Sequence, residues 1–125
     1  MVASHSSFAV LVVEDDGPLL MQTASFFEDA GYLVYKARNA DEAIRLLESQ
    51  PEIRVLFTDI EMPGSMNGLA LAHVCRHRWP PVEIVVVSGR PKLAAHEMPK
   101  GAVFFSKPYA DSAVLDTVDR FASAY

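Results

Sequence analysis

The sequence has little of what would place a protein outside the cell or in a membrane. Its one cysteine, Cys75, cannot form an internal disulfide, which excludes a disulfide-stabilised secreted domain. The opening MVASHSS lacks the charged start and the apolar segment of a secretory signal. Apolar runs such as Val10–Val13 and Ile84–Val87 are far shorter than the roughly 20 residues that span a bilayer. We therefore expect a cytoplasmic protein with no membrane anchor.

Basic residues are also scarce. Eleven lysines and arginines stand against 16 aspartates and glutamates, for a net charge of -5, and the basic residues are scattered. Because nucleic-acid binding needs clustered positive charge, we expect no nucleic-acid partner. At 125 residues, half of them apolar, the chain can bury a core of its own. We expect one domain over residues 1–125, with its core between about residues 8 and 122.

Five short β-branched or aromatic runs alternate with segments of helical period. This alternation predicts an α/β fold in which helices cover both faces of a parallel sheet. The strand runs are FAVLVV, LVYKA, VLFTD, EIVVVS and AVFFS. Start and stop signals predict helices between these strands. The first helix starts at Gly17-Pro18 and stops at Gly31, and the second starts at the capping pair Asn39 and Glu42. Asn67-Gly68 starts the third, and the last begins at about Asp111.

Polar residues follow the strands at one edge of this predicted sheet. Glu14 and Asp15 follow the first strand, and Asp59, Ser88 and Lys107 end the third, fourth and fifth. Open α/β sheets bind ligands at these carboxyl ends, and a flavodoxin-like order 2-1-3-4-5 makes strands 1 and 3 neighbours. Two carboxylates about 5 Å apart repel by roughly 3 kcal/mol at an effective dielectric near 20, so the cluster needs cations. Lys107 supplies one, and Mg²⁺, which prefers oxygen ligands, is the natural second.

Four separated motifs resemble those of one family, the receiver domains of two-component response regulators. They are LVVEDD, FTDIEMP, VVVSG and FFSKPY, and they occur in the family's order between about Phe8 and Ala122. The resemblance implies a flavodoxin-like (βα)5 doubly wound sheet of order 2-1-3-4-5. It also implies a phosphoprotein of signal transduction or a phosphorelay, with no enzyme activity beyond Mg-dependent self-phosphorylation and autodephosphorylation.

The resemblance also implies a role for each residue of the cluster. Asp59 accepts a phosphoryl group from a sensor histidine kinase or a phosphotransfer protein. Asp15 and Asp59 bind Mg²⁺ together with the backbone carbonyl of Glu61. The remaining implied roles are a contact with Mg²⁺ through water for Glu14, pairing with the phosphoryl oxygens for Lys107, and a hydrogen bond to the acyl phosphate for Ser88.

The resemblance implies a switch as well, with two departures from the common pattern. Ser88 moves toward the phosphoryl group, and the aromatic three residues before the lysine, here Phe104, turns into the vacated space. Phe104 stands in place of the usual tyrosine, so the coupling between phosphorylation and the surface is expected to be weaker or purely steric. The segment PKLAAHEMPKG contains two prolines, which predicts a short or irregular fourth helix.

Glu61 and Arg90 each lie two positions beyond a predicted site residue, Asp59 and Ser88 respectively. Opposite charges on neighbouring loops predict a pair across the entrance of the crevice. Such a pair would restrict the hydrolytic water and so slow the loss of the phosphoryl group. We refer to it as the gate.

The residues leave three functional alternatives open. The first is a stand-alone receiver, and the second is the receiver module of a hybrid sensor histidine kinase. The third is a haloacid-dehalogenase-type phosphatase, because Asp59-Ile60-Glu61 resembles a D-x-D nucleophile motif, although that family places its nucleophile after the first strand. A homodimer and the downstream target also stay open. His73 and His77 lie one helical turn apart and are expected to be solvated.

Overall fold

The computed structural model describes residues 5–89 and 95–125. Its five strands form one parallel sheet of order β2-β1-β3-β4-β5, which confirms the predicted flavodoxin-like topology. The strands are β1 His5–Val13, β2 Tyr32–Ala37, β3 Ile53–Asp59, β4 Glu83–Ser88 and β5 Val103–Ser106. The helices are α1 Gly17–Asp29, α2 Ala40–Ser49, α3 Gly68–Arg78 and α4 Asp111–Ala124. Over the described part of the chain, no helix is long and apolar enough to cross a bilayer.

Side-chain caps start two helices where the sequence predicts them. The Asn39 side chain accepts a hydrogen bond from the Glu42 amide at 2.9 Å, and Asn67 begins α3 in the same way. Each cap of this kind is worth about 1 kcal/mol. The Glu42 carboxylate reaches back to the Arg38 amide, one residue before the cap itself. Gly31 has a φ of 98° just after α1, which confirms the left-handed stop predicted there.

Both faces of the sheet are buried, because alternate residues of each central strand point to opposite sides. In β1, Leu11 packs on the side of α2 and α3, whereas Val10 packs with Phe27 of α1. The ring of Phe27 meets the ring of Phe57 edge to face, with centroids 5.4 Å apart. Cys75 of α3 is fully buried, as a small apolar residue would be. This two-sided core fixes the strand ends that carry the polar residues.

The connection from β4 to β5 is the least regular part of the fold. In its described portion, residues 95–102, the helical structure is a three-residue 3-10 turn, Ala95–Glu97, in keeping with the predicted short or irregular fourth helix. α3 holds this connection through two contacts. The His73 ring lies 2.7 Å from the Glu97 carbonyl through Nε2, and Arg76 donates to the Lys100 carbonyl at 2.8 Å. His73 is therefore exposed but bonded to the chain.

Candidate functional site

The carboxyl edge of the sheet brings Asp59, Ser88 and Lys107 together. Asp59 ends β3, Ser88 ends β4 and Lys107 directly follows β5. The strand ends are tied to one another, because the Ile60 amide donates to the Val87 carbonyl at 3.0 Å and the Lys107 amide donates to the Ser88 carbonyl at 2.8 Å. Strand pairing thus places three chemically distinct side chains around one crevice.

The Asp59 carboxylate is buried and held by two donors. Its Oδ1 accepts a hydrogen bond from the Glu61 amide at 3.0 Å, and its Oδ2 forms an ion pair with Lys107 Nζ. Only 5% of Asp59 is exposed. Burial alone lowers the pKa of the Lys107 ammonium, but the hydrogen bond and charge of Asp59 outweigh it and raise that pKa. Lys107 therefore carries its positive charge at neutral pH.

Glu14 and Asp15 form the acidic wall of the crevice beside β1. Glu14 is buried, and its Oε2 accepts a hydrogen bond from the Asp16 amide at 3.2 Å. Burial raises the pKa of Glu14 to about 7, and the negative charge of Asp59 adds to the shift. Asp15 is half-buried, and its backbone carbonyl accepts from the Arg38 guanidinium at 3.1 Å. The wall carries more negative charge than Lys107 alone neutralises.

The donor chemistry of this wall fits a hard divalent cation. Each carboxylate oxygen of Asp59 accepts one hydrogen bond or ion pair and keeps a further acceptor position. Within residues 5–89 and 95–125, no three carboxylate, imidazole or thiol side chains come together as a metal cluster. The set predicted for Mg²⁺ has only Asp15 and Asp59 as direct side-chain ligands, with the Glu61 carbonyl and water beside them, so it does not require such a cluster. The magnesium site stays a prediction.

The Glu61 carboxylate contacts the end of β4. Both of its oxygens lie near Ser88 Oγ, at 3.0 and 2.9 Å, and Oε1 also accepts from the Gly89 amide at 3.2 Å. Arg90 lies outside the described residues, so the predicted gate with Glu61 stays a prediction. The contact with Ser88 was not predicted, since 27 positions separate the two residues and no sequence pattern fixes a side-chain rotamer.

Gly68 lies against the main chain of Asp59. A Cβ built on it would fall 1.8 Å from the Asp59 carbonyl oxygen and 2.9 Å from Thr58 Oγ1. Its amide donates to the Ile60 carbonyl at 3.0 Å, which docks the first turn of α3 on the loop after β3. The sequence predicts Gly68 only as a helix start, and this close approach to Asp59 is a finding of the structure.

Phe104 lies on the strand next to Ser88. Its register partner in β4 is Val86, two residues before Ser88, so Phe104 and Ser88 share one face of the sheet. The ring is half-buried against the core on the side of α2 and α3. This position suits the predicted switch pair, and the movement itself stays a prediction.

The fold and the site define a doubly wound α/β domain whose central feature is a buried, lysine-paired aspartate at the carboxyl edge of the sheet. Residues 10–119 match the family model described as response regulator receiver domain. The chain belongs to this family of two-component signalling domains.

The chain is similar in sequence to relatives of two kinds. The chain is 32% identical over 113 residues to the nitrogen assimilation regulatory protein NtrX of Azorhizobium caulinodans, covering 86% of this chain and 25% of that protein. It is 32% identical over 110 residues to the CAI-1 autoinducer sensor kinase/phosphatase CqsS of Vibrio cholerae, covering 85% of this chain and 16% of the kinase. The chain therefore spans a quarter or less of the length of these relatives.

A solved structure has the same fold over nearly the whole chain. The response regulator receiver protein from Sinorhizobium medicae superposes with a TM-score of 0.82 at 27% identity, over 94% of this chain and 95% of that one. The receiver fold of the chain is thus supported by both sequence and structure.

Proposed function

We propose that Asp59 accepts a phosphoryl group from the phosphohistidine of a sensor histidine kinase or a phosphotransfer protein. The observation that carries this proposal is the geometry of Asp59: a buried carboxylate, oriented by the Glu61 amide and paired with Lys107. An ionised carboxylate needs no general base to act as a nucleophile. One Asp59 oxygen forms the new P–O bond while the P–N bond breaks, and the electron pair returns to the imidazole nitrogen.

The surrounding residues would position the reactants and balance charge. Phosphoryl transfer has a loose transition state with charge on the peripheral oxygens, so catalysis consists mainly of positioning and electrostatic stabilisation. Lys107 would hold one peripheral oxygen, and the Ser88 hydroxyl would donate to another. Asp15, Asp59 and the Glu61 carbonyl would hold Mg²⁺, with Glu14 acting through water. When bound, this ion supplies positive charge beside the transferred group.

The output of the modification would be conformational. When Ser88 turns toward the phosphoryl group, the space beside β4 opens to Phe104 on the neighbouring strand. Because phenylalanine has no hydroxyl, the inward ring would be held by packing alone. Coupling of the site to the surface formed by β5 and α4 would therefore be steric.

Labelling of the intact protein tests the phosphoacceptor. Purified protein with Mg²⁺ is incubated with a small phosphodonor or a phosphorylated histidine kinase, and its mass is measured. We expect the gain of one phosphoryl group in the wild type and in Asp41→Asn, which removes an exposed carboxylate outside the site, and no gain in Asp59→Asn. Labelling of Asp59→Asn, or none of the wild type, would overturn the proposal.

The similarity to CqsS favours a second setting for the same chemistry, as the receiver module of a hybrid sensor kinase. The coding sequence on either side of this chain distinguishes the two settings. The phosphatase alternative is disfavoured because Asp59 ends β3, whereas that family's nucleophile follows the first strand. Steady hydrolysis of a phosphate monoester is the observation that would support it.

A further inference from the structure

The Glu61 carboxylate accepts hydrogen bonds from the donors at the end of β4. Ser88 is fully buried as a residue, and its hydroxyl lies 3.0 and 2.9 Å from the two Glu61 oxygens. The Gly89 amide donates to Oε1 of the same carboxylate at 3.2 Å. A negatively charged group with acceptor oxygens thus already lies where a hydroxyl and a backbone amide converge.

These donors are among those that a phosphoryl group on Asp59 would use. A hydroxyl has one proton, so Ser88 cannot donate to Glu61 and to a phosphoryl oxygen at full strength at the same time. Carboxylate and phosphoryl group are both anions, and they repel each other at close range. We infer that Glu61 is an internal competitor of the phosphoryl group, which must displace the Glu61 carboxylate from Ser88 and Gly89. This inference rests on the proposed function of Asp59.

The displacement needs no rearrangement of the main chain. The Glu61 amide stays bonded to Asp59 Oδ1, and the neighbouring Ile60 amide stays bonded to the Val87 carbonyl. Among the described residues, the contacts that change are those of the exposed Glu61 side chain, and exposed side chains change rotamer rapidly. The backbone carbonyl proposed for Mg²⁺ is also unaffected by the identity of the side chain. Glu61 therefore makes phosphorylation of Asp59 less favourable without preventing it.

Three substitutions of Glu61 separate the effect of side-chain length from the effect of charge. Glu61→Ala removes the carboxylate, Glu61→Asp keeps the charge but shortens the side chain by one methylene, and Glu61→Gln keeps the length without the charge. The probe is beryllofluoride with Mg²⁺, whose affinity is measured by calorimetry. We expect both Glu61→Ala and Glu61→Asp to bind about tenfold more tightly than the wild type, equivalent to about 1.4 kcal/mol. Glu61→Gln should fall between them and the wild type, because a neutral amide accepts more weakly.

Two further measurements identify the contact itself. In metal-free protein, the Gly89 amide resonance should move in Glu61→Asp relative to the wild type, because its acceptor is withdrawn. In a Ser88→Ala background, Glu61→Asp should lose most of its effect on beryllofluoride affinity, since contacting residues are energetically coupled. Glu48→Ala is the matched control, because Glu48 is an exposed glutamate that pairs with Arg78 of α3. It should bind beryllofluoride like the wild type.

The possible outcomes are distinct. If Glu61→Asp binds beryllofluoride like the wild type while Glu61→Ala and Glu61→Gln bind it more tightly, the effect is one of charge alone. That result would overturn the inference that Glu61 competes for Ser88 and Gly89. Equal affinity in all variants, with clear binding by the wild type, would also overturn it while leaving the proposed function standing. Failure of the wild type to bind beryllofluoride would overturn the proposed function, and the competitor with it.

Discussion

Substitution of Gly68 by alanine tests the close approach of α3 to the end of β3. The added Cβ would fall 1.8 Å from the Asp59 carbonyl oxygen and 2.7 Å from its carbonyl carbon. Contacts under 3.0 Å are essentially never seen for real Cβ atoms, so the oxygen and the Cβ must separate by about 1.2 Å. Both neighbouring atoms belong to the main chain and cannot rotate away. Either α3 or the end of β3 has to move.

The cost follows from this overlap. Overpacking of a well-packed interior costs about 1–3 kcal/mol, and more where the neighbours cannot relax. Alanine recovers less than about 1 kcal/mol through its better helix propensity. We expect Gly68→Ala to lower the free energy of unfolding by about 2–4 kcal/mol, a large part of the roughly 5–15 kcal/mol typical of a domain. A displacement of about 1 Å at a reacting group can cost up to about a hundredfold in rate, so labelling of Asp59 should also slow strongly.

Gly17→Ala is the matched control, since Gly17 also begins a helix. A Cβ there would meet only the Arg38 guanidinium, at 3.8 Å, which is an ordinary contact. We expect this variant to be as stable as the wild type or up to about 1 kcal/mol more stable, because alanine restricts the unfolded chain. Urea unfolding followed by circular dichroism measures both variants, with the slope checked for constancy. Equal stability of Gly68→Ala and Gly17→Ala would refute the reasoning.

Three further predictions concern charge and access. Glu14 has a pKa of about 7 in the fold against an ordinary 4.5. Without divalent metal, the free energy of unfolding should therefore fall as the pH rises from about 4.5 to about 7. A dependence of this free energy on pH that is as steep in Glu14→Gln as in the wild type would contradict the prediction. Burial raises the pKa of the Cys75 thiol to about 12, so a disulfide reagent should react with it only on unfolding, and rapid reaction in native buffer would contradict its burial. Glu61→Ala and Arg90→Ala should each speed acyl-phosphate decay several-fold with the fold intact, and unchanged decay in both would exclude the gate.

A fourth prediction of the same kind concerns magnesium, since the ion should bind the native state alone. Millimolar Mg²⁺ should raise the melting temperature of the wild type, following mass action, and raise it less in Asp59→Asn, which lacks one ligand charge. Thermal melts with and without the ion measure the shift. Identical wild-type melts would count against the site at Asp15 and Asp59.

The elements and the place of the site could be predicted because their causes are local or topological. Alternating apolar runs give strands, and the Asn39 and Asn67 caps act within three residues of themselves. Parallel strands bring their carboxyl ends to one edge whatever the details of packing, which is why Asp59 and Lys107 were expected to meet. The contact of Gly68 with Asp59 depends instead on how closely a helix packs on a strand. No pattern along the chain encodes that distance.

The direction of the Glu61 carboxylate could not be predicted for a related reason: the spacing of Glu61 from Asp59 shows that it borders the crevice but does not fix its side-chain rotamer. In the structure its amide donates to Asp59, while its carboxylate accepts hydrogen bonds from Ser88 and Gly89. Phosphorylation of Asp59 would replace its single negative charge by nearly two on the phosphoryl group, beside carboxylates whose charge Lys107 alone does not neutralise. Release of Glu61 to solvent and binding of Mg²⁺ both lower that excess, so each should favour the phosphorylated state. Such coupling is reciprocal. Removal of the Glu61 carboxylate should therefore have a larger effect on the Mg²⁺ affinity of the resting protein than on that of the phosphorylated protein.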